Sequence, residues 1–205
     1  MNLATKDSKT IKAIAFPAMV STRVAGAALS PILFAHAPAL LIVMSPFLVH
    51  LVVVAPIVTA AVYFPLALVV TTIQALIGYF FGSTYGPKAV EWLVERTPIS
   101  LTRANTLLDL VRRASILAIF AIPGPILGTI AGAAGVRRKV FLLLVAPAQA
   151  LWVTAAYFVG EALLEYIEIG RTFVIDHAFS LTALTASLVA IRWFLGRRSK
   201  QKKQS

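Results

Sequence analysis

Two adjacent pairs of arginines are the residues of this chain best suited to bind an anion: Arg112 and Arg113, and Arg137 and Arg138. A guanidinium group can donate two parallel hydrogen bonds to one phosphate, and it stays charged at physiological pH. The two pairs bracket an uncharged run, residues 114–136, and therefore flank the mouth of any loop that this run forms. We predict that they bind the phosphate of an anionic lipid. The competing interpretation is that they only fix the topology and touch bulk lipid head groups.

Few other side chains could carry out chemistry. His50, within an apolar segment, could exchange protons near neutral pH or simply bond to a neighbouring carbonyl. Glu161 could bind a proton or a cation, or lie at the outer membrane surface. The chain has no cysteine, and its Asp, Glu, His and Ser residues form neither a metal-ligand spacing nor a convincing catalytic order. We therefore predict no enzyme activity, no metal site and no cofactor.

The composition is that of a protein embedded in a membrane. Hydrophobic residues make up 59% of the chain, the mean hydropathy is +0.86, and no Asp, Glu, Lys or Arg occurs from Val24 to Pro87. A spanning helix needs about 20 apolar residues, so this run has room for more than one crossing. The net charge of +11 is explained by basic loops on the cytoplasmic side and by anionic lipid head groups, and we predict no nucleic-acid binding. The predicted fold class is an all-α integral membrane protein.

Charges and prolines divide the apolar sequence into about four transmembrane helices and two re-entrant helical hairpins. Prolines break straight helices, and the resulting half-helices are too short to cross a bilayer. Basic residues mark both termini and the central connection as cytoplasmic, whereas residues 161–177 are acidic. The chain is predicted to consist of a basic cytoplasmic N-terminal segment (1–25), a single membrane domain (26–196) and a basic cytoplasmic tail (197–205). Within the membrane domain, we predict spans at about 27–44, 65–86, 140–160 and 178–196. Re-entrant loops are predicted at about 46–65 and 114–136, and a cytoplasmic connection at about 87–113.

The turns of the two hairpins are predicted at prolines and glycines. Pro46 opens the first hairpin, and Pro123, Gly124 and Pro125 form the turn of the second. Small residues spaced by four give a helix a face on which another helix can pack closely. We predict this packing role for Gly78, Gly82, Gly86 and Gly132.

A short sequence recurs at an interval of 78 positions, since Tyr79-Phe80-Phe81-Gly82 returns as Tyr157-Phe158-Val159-Gly160. The same interval carries Pro46 onto Gly124. Each half of the membrane domain thus consists of a break, a half-helix and a spanning helix that carries this motif near its end. Because the two spans run in opposite directions, we predict an inverted pseudo-repeat with opposed re-entrant hairpins, an architecture frequent among transporters.

Over roughly residues 45–165 these features resemble the DedA family, also called the SNARE-associated or VTT-domain family. Its Y-x-x-G-x-x-x-G segment is matched by Tyr79, Gly82 and Gly86, and its second, more specific motif by Pro123-Gly124, Ala131-Gly132, Phe141, Trp152 and Gly160. Phe120 and Ile126 stand where the family commonly carries arginine, and Ala75 where it usually carries aspartate. The resemblance implies facing re-entrant loops and lipid translocation. Bacterial relatives are associated with flipping undecaprenyl phosphate and with proton-motive force, and eukaryotic relatives are similar to phospholipid scramblases.

The pattern and the resemblance together predict a transporter that flips or scrambles a lipid, such as undecaprenyl phosphate or a phospholipid, across the bacterial inner membrane. The expected partners are membrane lipids, including anionic phospholipid or a polyprenyl phosphate. The sequence allows an oligomer but does not decide whether one forms. Two other functions are also left open. One is a small-solute or drug exporter on the same scaffold, which would enclose an aqueous cavity. The other is a non-transporting membrane assembly partner, which would explain a core almost without charge.

Overall fold

The chain folds almost entirely into α-helices. The computed structural model describes residues 3–96, 101–121 and 124–201, and these ranges contain helices but no β-strand. The helices are α1 (Leu3–Ala28), α2 (Ser30–His36), α3 (Pro38–Met44), α4 (Leu48–Val54), α5 (Ala60–Tyr85), α6 (Pro87–Arg96), α7 (Leu101–Ala121), α8 (Pro125–Ala133), α9 (Arg138–Ala162), α10 (Leu164–Asp176) and α11 (Ala178–Gln201).

Within these ranges, two helices are long and apolar enough to cross a membrane by themselves. They are α5, with 26 residues, and α9, with 25, and both match spans that the sequence predicts at 65–86 and 140–160. At about 1.5 Å per residue, each exceeds the hydrocarbon core of about 30 Å. Apolar side chains also cover their outer surfaces: Val69 is 55%, Leu143 75% and Phe158 65% exposed. Such surfaces suit a lipid environment and are compatible with an α-helical membrane protein.

Two further spans are available only as bent pairs of helices. Ile14–Ala28 followed by Ser30–His36 bends by 72°, and Leu164–Asp176 followed by Ala178–Ile191 bends by 89°. The described part of the chain therefore offers between two and four candidate spans. The predicted number of four is the upper limit of this range.

The first predicted span, residues 27–44, is wrong as a single helix. The chain forms α2 and α3 there, and Ala37 between them has φ −145° and ψ 61°. Ala37 precedes Pro38, and the ring of a proline sterically disfavours helical geometry in the residue before it. The long helix of this part of the chain lies earlier: α1 continues through Pro17 and ends at Ala28.

Both predicted hairpin segments contain a short helix that follows a break. The seven-residue α4 follows Pro46, and the nine-residue α8 follows Gly124. At about 1.5 Å per residue neither can cross a bilayer. The breaks before α4 and α8 lie where the sequence predicts them, but the predicted end of the first loop at Pro65 is wrong, because α5 begins at Ala60 and continues through Pro65. The entry and exit of each segment on one membrane face stay a prediction.

Internal contacts divide the chain into two compact units. Unit 1 comprises Met1–Val20 and Phe64–Ala155, and unit 2 comprises Ser21–Tyr63 and Ala156–Ser205. Unit 1 therefore contains the short helix α8 and unit 2 the short helix α4, and each unit contains parts of α5 and α9. The predicted single membrane domain at 26–196 stays a prediction, because compactness does not report position in a membrane.

The interval of 78 positions also relates contacts inside the two units. In unit 1, Tyr79 stacks on Phe141 with ring centroids 4.5 Å apart. In unit 2, Tyr157 lies against Tyr63 with ring centroids 5.4 Å apart. Tyr157 follows Tyr79 by 78 positions, and Phe141 follows Tyr63 by the same number. The recurrence in the sequence therefore extends to packing, since in each unit one end of α5 meets the opposite end of α9.

Candidate functional site

The second break is a glycine turn between α7 and α8, and a tryptophan braces it. Gly124 has φ +154°, a conformation that residues with a side chain rarely adopt. Pro125 occupies the first position of α8, where its missing N–H removes no helical hydrogen bond. The indole Nε1–H of Trp152 donates a 2.8 Å hydrogen bond to the carbonyl of Phe120, in the last turn of α7, where carbonyls lack helical partners. Pro123, predicted as part of this turn, lies outside the described residues.

Glycines bring α8 into backbone contact with α5. A Cβ added to Gly82 would overlap the carbonyl of Thr129, and one added to Gly132 would overlap the carbonyl of Tyr79. The same holds for Gly78 and Gly128, each of which faces a backbone carbonyl of the other helix. Both helices therefore approach more closely than any larger residue at these positions would allow.

Two other predicted glycines differ from each other in role. Gly160, in unit 2, is buried where a Cβ would overlap the carbonyl of Val52 on α4. Gly86 makes no such contact, because no described atom lies within 4 Å of a Cβ added there. It has φ +55° and turns the chain between α5 and α6, so the packing role predicted for it is wrong.

A closed turn at the end of α8 leads directly to Arg137. Gly135 has φ +78°, and the N–H of Val136 donates to the carbonyl of Ala131 at 3.1 Å, as in a Schellman motif. The hydroxyl of Tyr79 donates a 2.7 Å hydrogen bond to the carbonyl of Val136 and so ties the turn to α5. These bonds also satisfy carbonyls whose partial negative charge would otherwise oppose an anion.

Arg112 and Arg137 line one cleft, which we call the Arg112–Arg137 cleft. Its volume is about 290 Å³, and both arginines are exposed. Arg112 is also 3.9 Å from the carboxylate of Asp109. Because 58% and 63% of the two side chains are exposed, this ion pair is weak. The lining residues are Val111, Arg112, Ala134, Gly135, Val136, Arg137 and Val140.

The electrostatics of this cleft favour an anion. Arg137 immediately precedes α9, whose first backbone N–H groups have no helical partners and carry partial positive charge. The polar side chains of the lining are the two guanidinium groups. The residues that the structure describes include no group of three or more His, Cys, Asp or Glu that could hold a metal ion. Guanidinium groups can bind a phosphate or a carboxylate through two parallel hydrogen bonds.

The other two predicted arginines point elsewhere. Arg113 is exposed and does not line the cleft. The guanidinium carbon of Arg138 lies 5.1 Å from the ring centroid of Phe80, so this cation covers an aromatic ring of α5. The structure thus brings together one arginine from each pair.

The remaining candidates lie in unit 2 and do not line the cleft. Pro46 is buried at the first break, and Glu161 is exposed and accepts a hydrogen bond from Tyr157. His50 is partly buried, and its Nδ1 lies 2.7 Å from the carbonyl oxygen of Ser45.

The sequence does not mark Arg23 as a candidate binding residue, because its position suggests only a role in fixing the topology. In the structure Arg23 is partly buried, and its guanidinium carbon lies 4.3 Å from the ring centroid of Phe47. The only signal in the sequence is that Arg23 is the last cation before the long uncharged run.

Comparison with known proteins adds no relative. No family model matches the chain, and neither the curated proteins nor the solved structures compared with it give a match. Its function has to be inferred from its own residues and contacts.

Proposed function

We propose that this chain is a membrane protein that moves anionic lipids between the two leaflets, with the phosphate bound at the Arg112–Arg137 cleft. One observation carries the proposal. Two arginines, one from the segment before α8 and one from the segment after it, line the same cleft. This cleft lies beside α8, a helix that is too short to span a bilayer. A lipid phosphate is the anion that such a cleft meets in a membrane. Its source is a phospholipid or undecaprenyl phosphate.

The barrier to translocation is the transfer of a charged phosphate through hydrocarbon. The nine residues of α8 extend roughly 14 Å, about half of the hydrocarbon core. A segment that enters and leaves on one face interrupts the apolar layer over part of its depth, and its close backbone contact with α5 holds it there. The lipid tails can stay in the bilayer, since apolar side chains cover the outside of α5 and α9.

The family that the chain resembles commonly carries arginine next to the turn, but this chain carries apolar residues there. Phe120 and Ile126 flank the break, and both are partly buried against the apolar core of unit 1. The tip of the second hairpin is therefore apolar, and the proposed phosphate site lies at its mouth. We place the chain in the bacterial inner membrane, as a divergent DedA-like protein with opposed hairpins and both termini in the cytoplasm.

The proposal is tested with purified protein in phosphatidylcholine liposomes that contain a trace of NBD-labelled phosphatidylglycerol. Dithionite quenches only the outer leaflet, so quenching of the inner-leaflet fraction measures translocation. The double variant Arg112→Gln/Arg137→Gln removes two charge-assisted hydrogen-bond donors, and we expect its translocation rate to fall about tenfold or more.

The matched control is Lys88→Gln/Lys139→Gln, which removes the same number of charges from two exposed residues that do not line the cleft. This control should translocate like the parent chain. Equal rates for the parent and the Arg112/Arg137 variant would refute head-group binding at the cleft. Rates no higher than in protein-free liposomes would refute lipid translocation and favour a small-solute exporter or an assembly partner.

A further inference from the structure

Helix α10, within unit 2, packs through one side only. Its partly buried side chains are Ile167, Arg171 and Val174, which follow one another at intervals of four and three and therefore share one side of the helix. The helix packs against α2. None of its residues is fully buried, and every other residue of the helix is exposed. The described chain therefore leaves most of the surface of α10 uncovered.

The uncovered surface of α10 is divided into an apolar side and a polar, acidic side. The most exposed apolar side chains are Tyr166, Ile169 and Phe173, at 72%, 67% and 57% exposure. Their intervals of three and four place them on one side of the helix, which we call the Tyr166 face. The exposed polar side chains lie next to it at similar intervals: Glu165, Glu168, Thr172 and Asp176. A helix divided in this way suits the surface of a bilayer, with its apolar side in lipid and its polar side in water.

The direction of α10 agrees with a position on the membrane surface. Leu164–Asp176 meets Ala178–Ile191, in α11, at an angle of 89°. With α11 crossing the membrane, as the sequence predicts for residues 178–196, α10 runs parallel to the membrane plane. Residues 161–177 contain one arginine and no lysine, and this scarcity of cations is typical of the outer side.

The Tyr166 face fits a lipid surface better than a protein partner. Large apolar side chains bury about 150–250 Å² each, so three that are partly exposed offer roughly 400 Å², about half of what one partner contributes to a stable protein interface. Exposed apolar side chains also continue along the chain within unit 2, directly before and after α10, at Phe158, Val159, Leu163 and Phe179. A bilayer covers all such groups, whereas a protein partner covers a single patch.

We propose that α10 lies on the outer leaflet of the membrane, with the Tyr166 face inserted where head groups meet acyl chains. Its carboxylates then stay in water. Because the polar side is acidic, burial of the apolar side chains holds the helix in place, and attraction to anionic lipids does not. This position of α10 does not require that the protein translocates lipids.

Spin labels can measure the depth of α10 in the full chain, which has no cysteine of its own. Single variants Tyr166→Cys, Ile169→Cys and Phe173→Cys carry a nitroxide on the apolar side, and Glu165→Cys and Thr172→Cys are matched controls on the polar side. In phosphatidylcholine liposomes, electron paramagnetic resonance compares collisions with oxygen, which concentrates in lipid, and with Ni-EDDA, which stays in water. We expect the first three labels to lie about 5–10 Å inside the boundary between head groups and acyl chains. The two controls should collide with Ni-EDDA as labels in water do.

The labels at Tyr166 and Phe173 also measure the orientation of the helix. These positions are seven residues apart on one side, which is about 10 Å along the helix axis. A helix parallel to the membrane places both labels at the same depth. A helix that inserts as half of a bent span places them about 10 Å apart in depth, and this result would overturn the proposal.

Two other results would also overturn it. Collisions with Ni-EDDA at all five positions would show that the Tyr166 face lies in water. Protection of the Tyr166 face from both reagents would show that protein covers it, such as a second copy of the chain. Each of its three positions is labelled in a separate variant, so the remaining two decide if one variant does not fold.

Discussion

Gly82 offers the sharpest test of the packing that positions α8. We expect Gly82→Ala to destabilise the protein, although alanine is the better helix former by about 1 kcal/mol. The added Cβ would overlap the carbonyl oxygen of Thr129, which belongs to the backbone of α8 and cannot rotate away as a side chain could. Relief therefore requires α8 to move as a whole.

The expected magnitude follows from two opposing terms. Overpacking costs about 1–3 kcal/mol, and the upper end applies because a shift of α8 also opens the contacts at Gly78, Gly128 and Gly132. The gain in helix propensity offsets about 1 kcal/mol of this. The net loss in the free energy of unfolding is then about 2 kcal/mol, or a fall of roughly 4–8 °C in the unfolding temperature.

Gly170→Ala is the matched control, because Gly170 lies inside α10 and no described atom is within 4 Å of a Cβ added there. This variant should keep the propensity gain and unfold at the same temperature as the parent chain or slightly higher. Unfolding is followed in detergent by size-exclusion chromatography after heating, with equal protein and lipid concentrations. Equal unfolding temperatures for the Gly82→Ala and Gly170→Ala chains would refute the close approach of α5 and α8.

Two further substitutions each remove one hydrogen-bond donor from an aromatic side chain. Trp152→Phe removes the indole N–H that donates to the carbonyl of Phe120. We expect this substitution to lower the free energy of unfolding by about 1 kcal/mol, measured in the same heating assay. An unchanged unfolding temperature would contradict the role of Trp152 in bracing the turn. Tyr79→Phe keeps the stack on Phe141 but releases the carbonyl of Val136, so we expect about 1 kcal/mol less stability and about threefold weaker binding of phosphatidylglycerol at the Arg112–Arg137 cleft. Unchanged lipid binding in this variant would show that the turn keeps its position without the hydroxyl.

The long helices and the breaks could be predicted because their signals are local. Length and apolar composition mark α5 and α9, and proline and glycine mark the breaks before α4 and α8. The prediction fails at residues 27–44, where a proline inside an apolar run does not tell whether the helix bends or ends. Pro17 lies inside a helix whereas Pro38 begins one, so the presence of a proline does not by itself predict the end of a helix.

The site residues were predicted less completely, since their roles depend on contacts between distant positions. Residue type and spacing single out both arginine pairs, but only the fold separates Arg137, which lines the cleft, from Arg138, which covers Phe80. The proximity of Arg23 to Phe47 joins α1 to the first break, across two short helices. No pattern within either segment indicates it.

The distribution of the glycine contacts has a consequence for how the chain is made. The short helix of the first half, α4, packs on Gly160 near the end of α9, and Gly82 near the end of α5 receives α8 from the second half. During synthesis, the glycines of α5 thus cannot make their contacts until α8 has been made. The contact between α4 and Gly160 cannot form until the chain has grown past residue 160. Neither compact unit can complete its packing from the first half alone. Unit 1 can therefore complete its packing only after most of α9 has been made, and unit 2 only after α10 and α11 have followed.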